Sequence, residues 1–357
     1  MPTSDDPASG SCLRLALLVL AAIVTCLLVY GLGSGGAFYH RLVAAPFAPA
    51  APAPYYRESL LHVGLAHLLG LGASLLAFRL FVLSFFWLGL VRLVAAAARR
   101  LSLADVARVL AVAVTHPAAM IAHAWTCHPD ALTYGLTIAL LFARRPALVA
   151  VLAFLGAWNH LPMWLIVCGD ALVLWSGFAE PRLRPRALAL LAGLLLGAVT
   201  CKLALHLGGI AIAEDRFAAA AGHPLPVLLG YWTGPGWPVL YTLYFAHLVW
   251  LPALLLGLHR TAPRAALGLV VTQALALAAT FFTEDTTRVF AFLAGGPLLY
   301  ALVHQLGVPA PQRPSALRPL VLAGVLLTLV APKGFAWKGH LHDLQASRAH
   351  LRALLSR

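Results

Sequence analysis

The sequence predicts an all-α, polytopic transmembrane helical bundle, and three observations carry that expectation. Of 357 residues, 61% are hydrophobic and 10% charged, against about 25% charged in a soluble domain. Apolar runs near crossing length recur from residue 13 to 332, with no stretch long enough for a soluble domain between them. The connections between runs also alternate in chemistry. Arg99-Arg100, Arg144-Arg145, Arg182/Arg184/Arg186, Arg260/Arg264 and Arg313/Arg318 fall at one end. His116, His123, His128, Asp130, Asn159, His160, Glu284, Asp285 and Arg288 collect at the other. Arginine in short loops marks the cytoplasmic side, so the chemistry-bearing residues are expected on the external face of a plasma (inner) membrane protein.

Residues 1–12 read as a polar cytoplasmic tail, and 13–332 as the multi-pass domain. The first crossing, 13–33, is longer than a signal-peptide core and is read as retained. Residues 34–57 hold four prolines from Pro46 to Pro54 and form an external loop, because such a stretch cannot continue a helix. The run to residue 98 is too long for one crossing. Gly64, Gly70 and Gly72 divide it into a surface segment, 59–71, and a span, 73–97. Further spans are expected at 104–122, 130–143, 147–160, 161–176, 187–206, 239–258, 265–282, 289–306 and 319–332, about eleven in all. The segments between 130 and 176 are short, and Asn159-His160-Leu161-Pro162 separates two of them, as expected of broken helices around a cavity. A second external loop spans 207–238, and 333–357 is a basic amphipathic tail.

The net charge of +13 is spread over turns rather than gathered on one stripe, which argues for topology and membrane-lipid contact and against nucleic acid. The five cysteines fall mostly in apolar runs without paired spacing, so neither a disulfide framework nor a zinc knuckle is expected. No Gly-rich phosphate loop, His-Glu-x-x-His or Gly-x-Ser-x-Gly is present.

Three clusters carry candidate chemistry. In the first, His116 and His123 are seven apart on one helix face, and His128 and Asp130 follow at the turn. Three imidazoles suit a divalent metal ion, the one cofactor the sequence brings forward. Asp130 also begins a helix, where the dipole favours a carboxylate. In the second, Asn159 and His160 stand between tryptophans at 158 and 164. In the third, Glu284 and Asp285 precede Arg288 by one turn. A charge inside a span costs about 2.5–3.5 kcal/mol, so Arg288 is expected to face a cavity or an anion such as phosphate. Arg79 is an intramembrane outlier expected to join it, Asp170 is expected to pair with a turn arginine, and Lys202 to snorkel.

The order of these motifs resembles the membrane cores of GT-C-type glycosyltransferases, which use polyprenyl-phosphate-linked sugars. The resemblance runs through Leu76-Ala77-Phe78-Arg79-Leu80-Phe81, His128-Pro129-Asp130-Ala131-Leu132-Thr133-Tyr134, Ala157-Trp158-Asn159-His160 and Asp285-Thr286-Thr287-Arg288-Val289-Phe290. It implies sugar transfer from a lipid-phosphate donor at the external face. Arg79, Asn159, Glu284, Asp285 and Arg288 would bind substrate, and Glu58, Asp130, His128 or His160 would carry the proton chemistry. The first loop departs from that pattern, since 34–57 contains no Asp or Glu and Glu58 is the nearest acid. Two other readings stand beside it: a transporter or lipid flippase without chemistry, and a metal-dependent membrane enzyme using His116, His123 and His128.

Overall fold

The computed structural model describes residues 7–33, 35–47, 58–178, 183–210, 229–230, 232–234, 236 and 238–355. The structure is a helical bundle whose segments shuttle between a polar end, bearing His128 and Arg288, and an arginine end. Helix α1 (Pro7–Tyr30) runs to the polar end. There Gly33 N–H donates to the carbonyl of His123. The short helices α2 (Ala37–Ala44) and α3 (Leu60–Leu68) stay at that end, and Gly70, with φ of 68°, turns the chain into α4 (Leu75–Ala97). The Ser74 hydroxyl caps α4 by accepting from Ala77 N–H.

Helices α5 (Leu103–Thr115) and α6 (Pro117–Ala124) return to the polar end as a pair bent by 49°. The break has a local cause. Pro117 disfavours helical backbone at the residue before it, and His116 is extended at φ −69°, ψ 147°. Its ring nitrogen then accepts from Ala118 N–H, replacing a lost helical partner.

Helix α7 (Asp130–Leu141) runs alongside α4 in the same direction. Arg92 of α4 donates to the carbonyl of Phe142 just beyond its last turn. Between these ends Gly89 and Gly135 let the two backbones touch: a Cβ on Gly135 would lie 2.6 Å from the Phe85 carbonyl oxygen. Small residues at such crossings allow the close van der Waals packing that holds helices together in lipid.

Helix α8 (Pro146–Gly177) folds back on itself at His160, whose φ −165°, ψ 79° is not helical. Pro162 cannot donate into the preceding turn, and Trp175 comes back to the arginine end to donate to the Leu141 carbonyl. Trp164 fills the space over Gly156, where a Cβ would meet the indole at 2.0 Å.

Helix α9 (Leu183–Leu207) packs on the first limb of α8 through Gly193 and Gly197. After it come α10 (Pro238–Tyr244), a 3-10 turn at Phe245–Val249 and α11 (Leu251–Thr261), together broken by 59°. Helix α12 (Pro263–Thr280) packs against the second limb of α8, and α13 (Thr286–Leu306) runs almost wholly buried through the middle of the bundle. At the arginine end Asp105 pairs with Arg108 of its own helix and with Arg318 at the start of α14 (Leu317–Val330). Exposed leucines along α1, α9 and α14 form the apolar outer surface.

The expectation of about eleven full crossings is not met by length. Among the described residues, six helices are long and apolar enough to cross a membrane, or up to eight if each bent pair is one span. The apolar helices Asp130–Leu141 and Leu317–Val330 are shorter, and the expected spans 147–160 and 161–176 are limbs of one folded helix. The loop expected at 34–57 holds α2 before its prolines, and α1 begins at Pro7 inside the tail expected at 1–12. Most of the loop expected at 207–238 lies outside the described residues. The tail expected to be simply amphipathic contains β1 (Gly334–Trp337), β2 (His340–Asp343) and α15 (Gln345–Leu355). The strands are antiparallel, with Trp337 opposite His340. Lys338 and Gly339 supply the two positive φ values, 51° and 73°, that a tight two-residue hairpin requires.

Replacing Gly135 by Val is expected to force α4 and α7 apart and cost about 1–3 kcal/mol. A thermal-unfolding series in detergent measures it, and an unchanged midpoint would refute the close crossing.

Candidate functional site

The polar end gathers three of the sequence-predicted groups around one guanidinium. Asp130 is the first residue of α7, where exposed backbone N–H groups stabilise a carboxylate. Arg288 sits in the first turn of α13. Its Nε donates to Asp130 Oδ2 at 2.6 Å, linking positions 158 residues apart. Its Nη1 donates to Asp285 Oδ2, also at 2.6 Å. The Asp130 side chain is 1% exposed and that of Asp285 21%, so one partner is enclosed and the other borders the surface.

Aromatic side chains wall this pair. The guanidinium of Arg288 lies 5.5 Å from the Trp125 ring centroid, in range of a cation–π contact. His128 packs edge-on to Trp125 at 4.7 Å and to Tyr39 at 5.2 Å, and its Nδ1 is 3.9 Å from Asp130 Oδ2. A Cβ at Gly36, where φ is 78°, would lie 2.2 Å from the His128 ring, so that position needs glycine on two counts.

A second shelf of polar contacts fixes the turn that carries these groups. Asn159 Nδ2 donates to the Pro129 carbonyl and to Thr133 Oγ1, both at 2.9 Å. His62 faces Asn159 and the Cys127 backbone, and burial pushes its ring down to about 3, which keeps it neutral. Burial raises the Cys127 thiol, with neighbouring Arg79 opposing. Together these contacts hold the Trp125–Asp130 turn against the kink of α8.

The tail covers the site. Ala336 N–H donates to Thr287 Oγ1, Lys338 N–H to the Glu284 carbonyl, and Lys338 Nζ lies 3.4 Å from Glu284 Oε2. Trp337 packs edge-on to Trp125 at 5.4 Å. Neither the hairpin nor Tyr39, His62 and Trp125 figures among the sequence-predicted site residues. The signal for the hairpin is Trp337-Lys338-Gly339-His340, a two-residue turn ending in glycine between aromatic residues.

Other expected members lie elsewhere. Glu58 pairs with Lys202 of α9 instead of facing Asp130, so Lys202 does not simply snorkel. Arg79 hydrogen-bonds His350 of α15 rather than joining Arg288. His160 is buried at the kink of α8. Asp170 is buried with no hydrogen bond to either oxygen among the described residues, so the expected arginine pairing is absent.

The metal reading loses its geometry. His123 Nδ1 bonds the Ala119 carbonyl on its own helix. His116 stacks on His247, with ring centroids 5.9 Å apart, at the break between α5 and α6. Among the described residues no group of three or more His, Cys, Asp or Glu is placed to hold a metal ion.

Chemically, the arrangement offers an enclosed carboxylate, an adjacent imidazole and a guanidinium shared with a second, more open carboxylate. An anion reaching Arg288 would compete with Asp130 for it and leave that carboxylate as a stronger proton acceptor. The sequence matches no family model and no curated protein.

Removing one partner of an enclosed ion pair strands the other. Asp130→Ala is therefore expected to cost about 3–5 kcal/mol, and Asp285→Ala about 1 kcal/mol or less because it borders solvent. Parallel thermal-unfolding measurements compare them; equal losses would contradict the assigned difference in burial.

Proposed function

We propose that this protein is a GT-C-like membrane glycosyltransferase that moves a sugar from a lipid-phosphate donor at the polar end of the bundle. The observation that carries the reading is the Asp130–Arg288–Asp285 arrangement. Two of the segments that resemble the family's motifs meet there across 158 residues. In this reading the chain passes eleven times between the two ends, counting both limbs of α8 and the short helices α7 and α14 as passes.

The roles follow from the contacts. The donor phosphate binds Arg288, whose planar guanidinium suits a phosphate's oxygens. That displaces the salt bridge to Asp130. Asp130 then takes the proton of the acceptor hydroxyl while His128, beside it, helps hold the charge. General-base catalysis needs a base within hydrogen-bond reach of that hydroxyl, which requires the hairpin to move aside. Asp285 and Glu284 bind the sugar or the acceptor at the more open rim, and Asn159 positions the turn that carries Asp130. Glu58 and Arg79 drop out of this scheme because Lys202 and His350 engage them.

Transport without chemistry is the second reading, favoured by the breaks of 49° and 59° in two apolar helix pairs. Purified full-length protein given a polyprenyl-phosphate sugar and candidate acceptors is expected to release the lipid phosphate. Asp130→Asn is expected to lower that turnover by roughly 10²–10⁴-fold, and Arg288→Lys to weaken donor binding. Movement of a labelled lipid across liposomes without phosphate release would decide for transport.

A further inference from the structure

The two bent helix pairs bring their breaks to one place, and a histidine occupies it from each side. His116 ends α5 at the first break, and His247 lies in the 3-10 turn of the second. Both side chains are fully buried, and their rings stack with centroids 5.9 Å and planes 18° apart. An apolar pair could fill the same space. It could not accept the N–H groups that the breaks set free, which have no water to turn to inside the bundle.

The hydrogen bonds fix which nitrogen of each ring carries its hydrogen. His116 Nδ1 accepts from Ala118 N–H at 3.2 Å, and His247 Nδ1 accepts from Trp250 Nε1–H at 3.1 Å. An accepting nitrogen has its lone pair in use, so each neutral ring bears its hydrogen on Nε2. The surroundings of His247 agree. Thr115 Oγ1 donates to the Ala111 carbonyl at 2.6 Å, and its oxygen can accept from His247 Nε2–H at 3.4 Å. Neither ring retains a lone pair for a metal ion. A further proton can enter only at Nδ1, where it would point at an N–H donor. Protonation therefore breaks the Ala118 bond at one break or the Trp250 bond at the other.

The groups around the pair are neutral. Among the described residues His247 is the one ionisable group acting electrostatically on His116, and His247 has the Thr115 backbone as its further partner. Gly295 of α13 faces the His116 ring, and Gly324 and Thr328 of α14 face Trp250 and Ala246. The tyrosines of the two breaks, Tyr30 and Tyr244, donate to the Val114 carbonyl and to Gln273. The second break is also strained. Phe245, buried at 1% exposure, has φ 50°, a conformation that a bulky side chain rarely adopts and that its surroundings must hold. The His247–Trp250 bond closes the turn directly after it.

We propose that His116 and His247 form a proton-binding hinge, in which a proton taken up from water at either Nδ1 releases the bond at that break and lets the bent pair relax toward a straighter span. The bent state is the one with both rings neutral. The bend is therefore complete in neutral solution and is lost as the pH falls. At the second break, release also lets Phe245 leave its left-handed conformation, which sets the direction of the change. The proposal does not depend on the glycosyltransferase reading, because it uses neither Asp130 nor Arg288.

The test uses full-length protein in phosphatidylcholine nanodiscs, with nitroxide labels on Leu240→Cys and Leu256→Cys. Both positions are exposed and flank the second break, and Cys12→Ser removes the exposed native thiol. Pulsed electron-resonance distances are measured from about pH 8 to about pH 4, a range that brackets histidine titration. Acidification is expected to lengthen the distance by about 3 Å, the difference between a 59° bend and a straight helix about 24 Å long. His116→Asn with His247→Gln supplies amide oxygens that accept the same N–H groups but take up no proton, and is expected to keep the short distance at every pH. Nitrogen NMR of histidine-labelled protein, assigned by the single substitutions, is expected to find both rings as the Nε2–H tautomer at neutral pH. A distance that does not respond to pH overturns the proposal, as does an equal response in the double variant. A response that coincides with loss of helical circular dichroism is acid unfolding and counts against it. An Nδ1–H tautomer on either ring at neutral pH overturns it even where the double variant fails to fold.

Discussion

A guanidinium and a carboxylate can be enclosed in an apolar bundle only if they meet, because each alone would carry its full desolvation cost. The meeting of Arg288 with Asp130 therefore fixes more than one contact. It sets the height of α13 against α7, and α13 is the buried core helix on which α6, α12 and the hairpin rest. The Trp125–Asp130 turn must then reach the same level, which the kink of α8 supports through Asn159. Satisfying one pair of charges thus orders the polar end as a whole.

The same rule extends to the backbone. Lipid offers no hydrogen bonds, so every interruption of a helix has to find partners inside the protein. His116 repairs its own break by accepting from Ala118 N–H, and His247 at the other break accepts from Trp250 Nε1. The two rings stack on one another. The breaks in both bent pairs therefore meet within the bundle, away from the apolar outer surface.

Much of this order is legible in the sequence, for reasons that can be named. Proline and glycine punctuate the apolar runs, and the structure interrupts them at Gly70, Arg145-Pro146, His160 and Ala262-Pro263. The break at His116 carries the same X-Pro signal, but hydropathy continues straight through it and reads as one span. Polarity alone singles out Asp130, Asp285, Arg288, His128 and Asn159 as members of one end. It cannot say which of them touch, since contact across 158 residues depends on the packing of everything between. Glu58 and Arg79 illustrate the limit: both are charged and near the right level, yet Lys202 and His350 claim them. Tyr39, Trp125 and Trp337 are hidden for a different reason, because an aromatic residue at the membrane interface has the same signature whether or not it walls a site.

The hairpin at Gly334–Asp343 has a consequence for biogenesis. Those residues leave the ribosome after every helix they cover has been synthesised. Until then the chain around Arg288 and Asp130 lacks the strands that pack on it, and a growing protein made as far as α14 has its helices but an unroofed centre. Closure of that centre is thus a late step: two short strands settle on Thr287 and Glu284 only after α13 is in place.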